Sequence, residues 1–153
     1  MTLRKYSLTT LCALISINAL AAGDAKHFPG VFLGSTNFDG ETDFTFGVEY
    51  EYKFNKQFGV GTVWERTIDG HEGDGVNLFA SSLFYHPSDQ WRFGLGFGEE
   101  QIRGSKPKEK DLWRISATFE HPFESFIIAP TIAIDFIDSD KAIVAGVAII
   151  LPL

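Results

Sequence analysis

The stretch "TDFTFGVEYEYKF", Thr42 to Phe54, puts Phe44, Phe46, Val48, Tyr50, Tyr52 and Phe54 on one parity and Asp43, Thr45, Gly47, Glu49, Glu51 and Lys53 on the other. Strict alternation over this length predicts a β-strand, because successive side chains of a strand point to opposite faces. The pattern has two solutions. In a water-soluble antiparallel sheet the aromatic face is the core and the charged face is outside. In a barrel that crosses a membrane the assignment inverts.

Neighbouring runs decide between them. "WRFGLGFGE" sets Trp91, Phe93, Leu95 and Phe97 against Arg92, Gly94, Gly96 and Gly98. "LWRISATFEH" sets Trp113, Ile115, Ala117 and Phe119 against Arg114, Ser116, Thr118 and Glu120. Residues 126–136 set Ile128, Pro130, Ile132 and Ile134 against Ala129, Thr131, Ala133 and Asp135. A face made of Gly94, Gly96 and Gly98 is a poor solvent face, since glycine weakens a strand and supplies no charge against edge pairing. Small and charged residues do suit the narrow lumen of an eight-stranded barrel. The large side chains are then assigned to lipid.

Runs of this kind are predicted near 28–36, 42–54, 58–67, 76–86, 91–100, 112–121, 125–136 and 142–153. The connections at 55–57, 87–90 and 122–124 are tight, and two follow a His-Pro step, His86-Pro87 and His121-Pro122, read here as turn initiation with the histidine at the membrane interface. Those at 37–41, 68–75, 101–111 and 137–141 are mostly longer and richer in glycine and charge. The first, fourth and eighth runs are less decisive. "VNLFASSLFY" and "AIVAGVAIILPL" carry apolar residues on both parities, as fully buried strands also do. The fold class predicted is all-β, an eight-stranded antiparallel up-and-down transmembrane β-barrel.

The chain opens "MTLRKYSLTTLCALISINALAAG": Arg4 and Lys5, an apolar stretch from Leu8 to Leu20, then small residues. This is the three-part layout of a secretory signal peptide, predicted to span residues 1–21, with the barrel domain at 22–153. Cys12 falls within the removed segment and lacks the context of a lipoprotein cleavage site. The mature chain then has no thiol chemistry. Removing Arg4 and Lys5 from 13 basic and 20 acidic residues leaves 11 and 20, a net charge of −9, which argues against nucleic acid.

A cleaved signal, eight alternating strands, short turns on one side and a strand running to the last residues resemble the small outer-membrane barrels of Gram-negative bacteria, the OmpX and OmpA-transmembrane-domain type. The resemblance covers the whole mature chain and rests on layout. Gly146, Ile149 and Leu151 fit the family's terminal strand, whereas Pro152 and Leu153 replace its usual aromatic end. The resemblance implies export through the periplasm to the outer membrane, contact with outer-membrane lipids and lipopolysaccharide, passage through the assembly machinery, and a monomer. It implies a non-enzymatic envelope component. The rivals are a soluble periplasmic lipocalin-like binder of a small apolar ligand and a lipid A-modifying barrel enzyme.

Candidate chemistry is sparse. Of His27, His71, His86 and His121 only His86 has a serine two residues on, as in the His-x-Ser of the lipid A deacylases, and there Pro87 and Ser88 fall in a predicted turn; His121 and Ser125 flank another turn, so no catalytic residue and no cofactor is predicted. Asp69, His71, Glu72 and Asp74 are oxygen and nitrogen donors in a glycine-rich loop, a weak candidate cation site without EF-hand spacing. Arg103, Lys106, Lys108 and Lys110 form a basic loop that could attract lipopolysaccharide phosphates, although the interleaved Glu109 and Asp111 favour a simply solvated loop. Glu49, Glu51, Lys53, Glu65, Arg92, Arg114, Glu120 and Asp135 all fall on the lumen parity and are predicted to pair as a charge network. Two aromatic rings are predicted at the membrane interfaces. Phe54, Phe58, Trp91, Phe119 and Phe126 lie by the turns, and Phe44, Trp64, Phe97, Trp113 and Phe136 by the loops.

Overall fold

The structure, a computed structural model, describes residues 25–69, 75–104 and 106–153. The predicted signal peptide lies outside the described residues. Eight strands run in sequence: β1 (His27–Phe38), β2 (Glu41–Lys53), β3 (Phe58–Thr67), β4 (Val76–Ser88), β5 (Trp91–Ile102), β6 (Lys108–Phe119), β7 (Ile127–Ile137) and β8 (Asp140–Ile150). Each pairs antiparallel with the next, and β1 pairs with β8, which closes the sheet into an up-and-down barrel. Closure removes the unpaired edges that an open sheet would expose.

The register fixes the barrel's stagger. Following paired residues from Gly30 through Glu49, Val63, Ala80, Gly98 and Leu112 leads to Ile137 on β7. Going the other way, through Ile150, leads to Ile127, ten residues away on the same strand. A stagger of that size goes with strands tilted by about 40° to the barrel axis.

The faces are inverted relative to a soluble sheet. Outward-pointing Leu33, Leu95, Phe97 and Trp113 are 55–63% exposed, whereas inward-pointing Glu51 and Asp135 are 1% exposed. The strands with open facing resolve as well. β1, β7 and β8 send Phe28, Phe32, Ile127, Ala129, Val144 and Ile150 inward as an apolar wall of the lumen. A second apolar cluster, Leu78, Ala80, Leu112, Ile137 and Ala142, lies nearer the loop end. These strands are apolar on both faces because one face meets this wall and the other points outward.

Inward aromatics explain several of the glycines. A methyl group on Gly34 or Gly146 would come within 2.8 and 2.6 Å of the Phe32 ring. On Gly61 or Gly94 it would come within 2.9 and 3.0 Å of the Phe84 ring. Each ring lies against two glycines, and at Gly34, Gly61 and Gly146 the backbone of the facing strand is closer still.

The connections differ from expectation in two respects. At the loop end Asp39-Gly40 closes β1 onto β2 in two residues, both with positive φ (49° and 86°), as a type I′ hairpin requires, and Asp138 and Ser139 close β7 onto β8 equally tightly. Only 68–75 and 103–107 are long there. At the turn end neither His-Pro step is a turn. β4 runs on to Ser88 with a register shift between Tyr85 and Ser88, a bulge that accommodates Pro87, which has no amide to donate. His121-Pro122 continues β6 past Glu120 and pairs with Ile128 and Ile127.

Candidate functional site

The inward charges separate into two layers. The layer near the turns centres on Arg92, which is 4% exposed. Its Nη2 donates to Glu49 Oε1 at 2.9 Å and its Nη1 to Glu51 Oε2 at 3.2 Å, while Nε lies 3.5 Å from Glu120 Oε1. His86 Nε2 donates to the other Glu51 oxygen at 2.7 Å, and Lys53 Nζ is 3.6 Å from Glu120 Oε2. The Arg92 guanidinium also lies over the Phe84 ring, 4.9 Å from its centroid. Stacking and charge-assisted bonds together hold its planar head in one orientation.

The layer near the loops centres on Arg114, 5% exposed. Nη1 and Nη2 donate to Glu65 Oε1 and Oε2 at 2.9 and 2.7 Å, and Nε and Nη2 donate to Asp135 Oδ1 and Oδ2 at 2.6 and 2.7 Å. One guanidinium thus engages two carboxylates, each through both oxygens, the fork geometry for which arginine is suited. Arg92 and Arg114 come from adjacent strands but share no carboxylate, because Arg92 stands opposite Thr118 and Arg114 opposite Gly96, well apart along the barrel wall.

Between the layers lie hydroxyls and glycines. Ser82, Ser116, Thr118 and Thr131 surround a cavity of 40 Å³ that both arginines line, and the Thr118 and Thr131 oxygens are 2.9 Å apart. Above the outer layer, Thr36, Thr45 and Thr67 form a hydroxyl cluster with spacings of 2.7, 2.9 and 3.3 Å, beside a cavity of 250 Å³ at the loop end. At the turn end the lumen widens into a cavity of 510 Å³.

The outward aromatics gather at two levels. Near the turns Trp91 packs edge-on against Phe119 at 5.2 Å and stacks on Phe93 at 5.9 Å, and Phe58 meets Tyr85 at 5.3 Å. Phe54 is exposed beside them at 47%. Near the loops Phe97 meets Trp113, and Phe46 meets Trp64 and Phe44. Between the levels lie Val31, Leu33, Val48, Leu83, Leu95, Ile115, Ile132 and Val147, all more than 40% exposed.

Of the loop candidates, Asp69 is exposed with φ 62°, and His71, Glu72 and Asp74 lie outside the described residues. Among the described residues no group of three or more His, Cys, Asp or Glu side chains has metal-binding geometry. In the basic loop Lys110 Nζ is 3.9 Å from Asp138 and 4.0 Å from Asp140, while Lys108 is exposed. His121 is exposed against the Phe123 ring at 5.0 Å. His86 is a correction to the reading above. It is 4% exposed and points into the lumen, because the parity of Leu78, Ala80 and Ser82 continues through it. The apolar residues on both faces of β4 hid that parity, and the proline after His86 suggested a turn.

No protein-family model matches the sequence, and no curated protein matches it. Solved structures do. The N-terminal β-barrel domain of Pseudomonas aeruginosa OprF matches with a TM-score of 0.61 at 13% identity, over 84% of this chain and 99% of that one. Neisserial surface protein A matches with a TM-score of 0.58 at 5% identity, over 83% and 96%. Ail, the attachment invasion locus protein of Yersinia pestis, matches with a TM-score of 0.53 at 16% identity, over 84% and 97%. The chain has the fold of the small eight-stranded outer-membrane barrels. At these identities the likeness concerns the fold.

Proposed function

We propose that this chain is an integral protein of the Gram-negative outer membrane, delivered there after removal of residues 1–21, and that it serves as a non-enzymatic envelope component with a closed lumen. The inversion of faces carries the reading. An outward belt with Leu95 at 56% and Phe97 at 63% exposed is costly in water and favourable in lipid. Its two aromatic levels, including Phe44, Phe54, Trp64, Trp91, Phe97 and Trp113, take the headgroup interfaces. A soluble binder of an apolar ligand would reverse this arrangement and keep its apolar side chains for the cavity.

Closure of the lumen is supported by the two ion-pair layers and by the 40 Å³ left between them. In this reading the outer-membrane lipids are the main partners. Arg103, Lys106 and Lys108 meet lipopolysaccharide phosphates, assembly machinery inserts the chain, and it works as a monomer. Cell fractionation with gel migration of heated and unheated samples tests the location. A band confined to the soluble periplasm would end the membrane reading and favour a lipocalin-like binder. Mass spectrometry of lipid A from cells with and without the protein tests the non-enzymatic part, and a protein-dependent mass change would overturn it.

A further inference from the structure

The cavities at the two ends of the barrel differ in the charge of their linings, and this bears on ligand binding. The 250 Å³ cavity at the loop end is lined by acids, among them Asp43, Glu65, Glu100 and Asp135. The 510 Å³ cavity at the turn end is lined by Lys26, Lys53, Lys56 and His86, with Phe28 and Phe54 on its apolar side. In a mature chain carrying 11 basic against 20 acidic residues, three lysines converging on one mouth are out of keeping with the average surface.

Hydrogen bonds anchor the backbone segments that carry these lysines. The Lys26 carbonyl accepts from the Lys53 amide at 2.9 Å, and the Lys26 amide donates to Leu153 O at 3.0 Å, tying the start of β1 to β2 and the C-terminus. Lys56 sits in a turn closed by Asn55, whose Oδ1 accepts from the amides of Gln57 and Phe58 at 2.8 and 2.9 Å. Lys53 Nζ lies 4.3 Å from the Phe28 ring centroid, so charge and apolar wall are adjacent. The acids at this mouth are Asp89 and Glu120, and Glu120 is already engaged by Arg92 and Lys53. With Glu120 paired, Lys26 and Lys56 leave the lining a surplus of positive charge over Asp89, and such a surplus in a concave site concentrates anions. Its volume lies within the range of small-molecule pockets, about 300–1,000 Å³.

We propose that the turn-end mouth binds a small amphipathic anion, a phosphate or carboxylate joined to an apolar group, with the lysine ammoniums on the anionic head and Phe28 and Ile127 against the apolar part. The inference rests on the barrel and is independent of the compartment in which the protein resides. Phenyl phosphate is a suitable probe, with inorganic phosphate and phenol as its separate halves. Binding is read by calorimetry and saturation-transfer NMR on full-length mature protein in phosphatidylcholine nanodiscs.

Saturable binding of phenyl phosphate, tighter than of either half, is the expected result. Lys26→Gln/Lys56→Gln should weaken it about tenfold or more, the loss of two charge-assisted contacts. Lys141→Gln, at the loop end over the Phe136 ring, should leave it unchanged. Heat-modifiable migration verifies that each variant is folded. Discs containing phosphatidylglycerol separate two sources of the head group: competition assigns the natural occupant to lipid, and its absence to a free anion. No saturable binding by the wild type, or equal binding by Lys26→Gln/Lys56→Gln, would overturn the proposal.

Discussion

Replacing Arg114 by leucine removes a guanidinium that donates four hydrogen bonds to Glu65 and Asp135, which are only 5% and 1% exposed. Both carboxylates would be left in the lumen without their cation. Taking away one partner of a buried ion pair costs about 3–5 kcal/mol, most of it the penalty of the stranded charge. Arg114→Leu should therefore lose at least that much. Arg114→Lys keeps the charge but has three donors for these four bonds, so it should lose less, about 1.5–3 kcal/mol for the one charged hydrogen bond it cannot remake. Removing the acids together with the base, as Arg114→Leu/Glu65→Leu/Asp135→Asn, should recover much of the loss, because no buried ion then remains unpaired. The assay is reversible denaturant unfolding in lipid vesicles, followed by tryptophan fluorescence and gel migration. If Arg114→Leu and Arg114→Lys both stay within about 1 kcal/mol of wild type, the outer layer is solvated rather than buried, and the reasoning fails.

Three further outcomes follow from the same geometry. Ile132 points outward between the aromatic levels, so Ile132→Arg should cost about 2–4 kcal/mol of folding into bilayers, against about 0–1 kcal/mol for Trp113→Arg at the outer level; equal costs would contradict the assigned face. Purified wild-type protein in planar bilayers should show no steady porin-sized conductance, given the 40 Å³ between the two ion-pair layers, and stable channels of that size would replace the closed lumen with a pore. Gly146→Val should destabilise by about 1–3 kcal/mol through the Phe32 ring and the facing β1 backbone, while Ala145→Val next to it, on the outward face, should stay within about 0.5 kcal/mol. Similar unfolding midpoints for those two variants would remove that explanation of the glycine.

What could be read from the sequence is local. In β2, β5, β6 and β7 a side-chain period of two sorts residues onto faces, and the glycines and charges on one parity are enough to say which face avoids lipid. Strand number and the lumen parity of Glu49, Arg92, Arg114 and Asp135 follow from that alone. Facing in β1, β4 and β8 did not, because apolar residues occupy both parities there and periodicity loses its contrast. Tertiary structure decided the rest. Closure with a ten-residue stagger determines which inward groups share a height, so that Arg114 reaches Glu65 on a strand 49 residues earlier while Arg92, on the adjacent strand, meets Glu49 and Glu51. The closing pair of strands brings the Phe32 ring of β1 onto Gly146 of β8, and the register of β2 through β3 to β4 brings His86 onto Glu51. Such partners depend on register accumulated around the whole barrel, a quantity that no single strand contains.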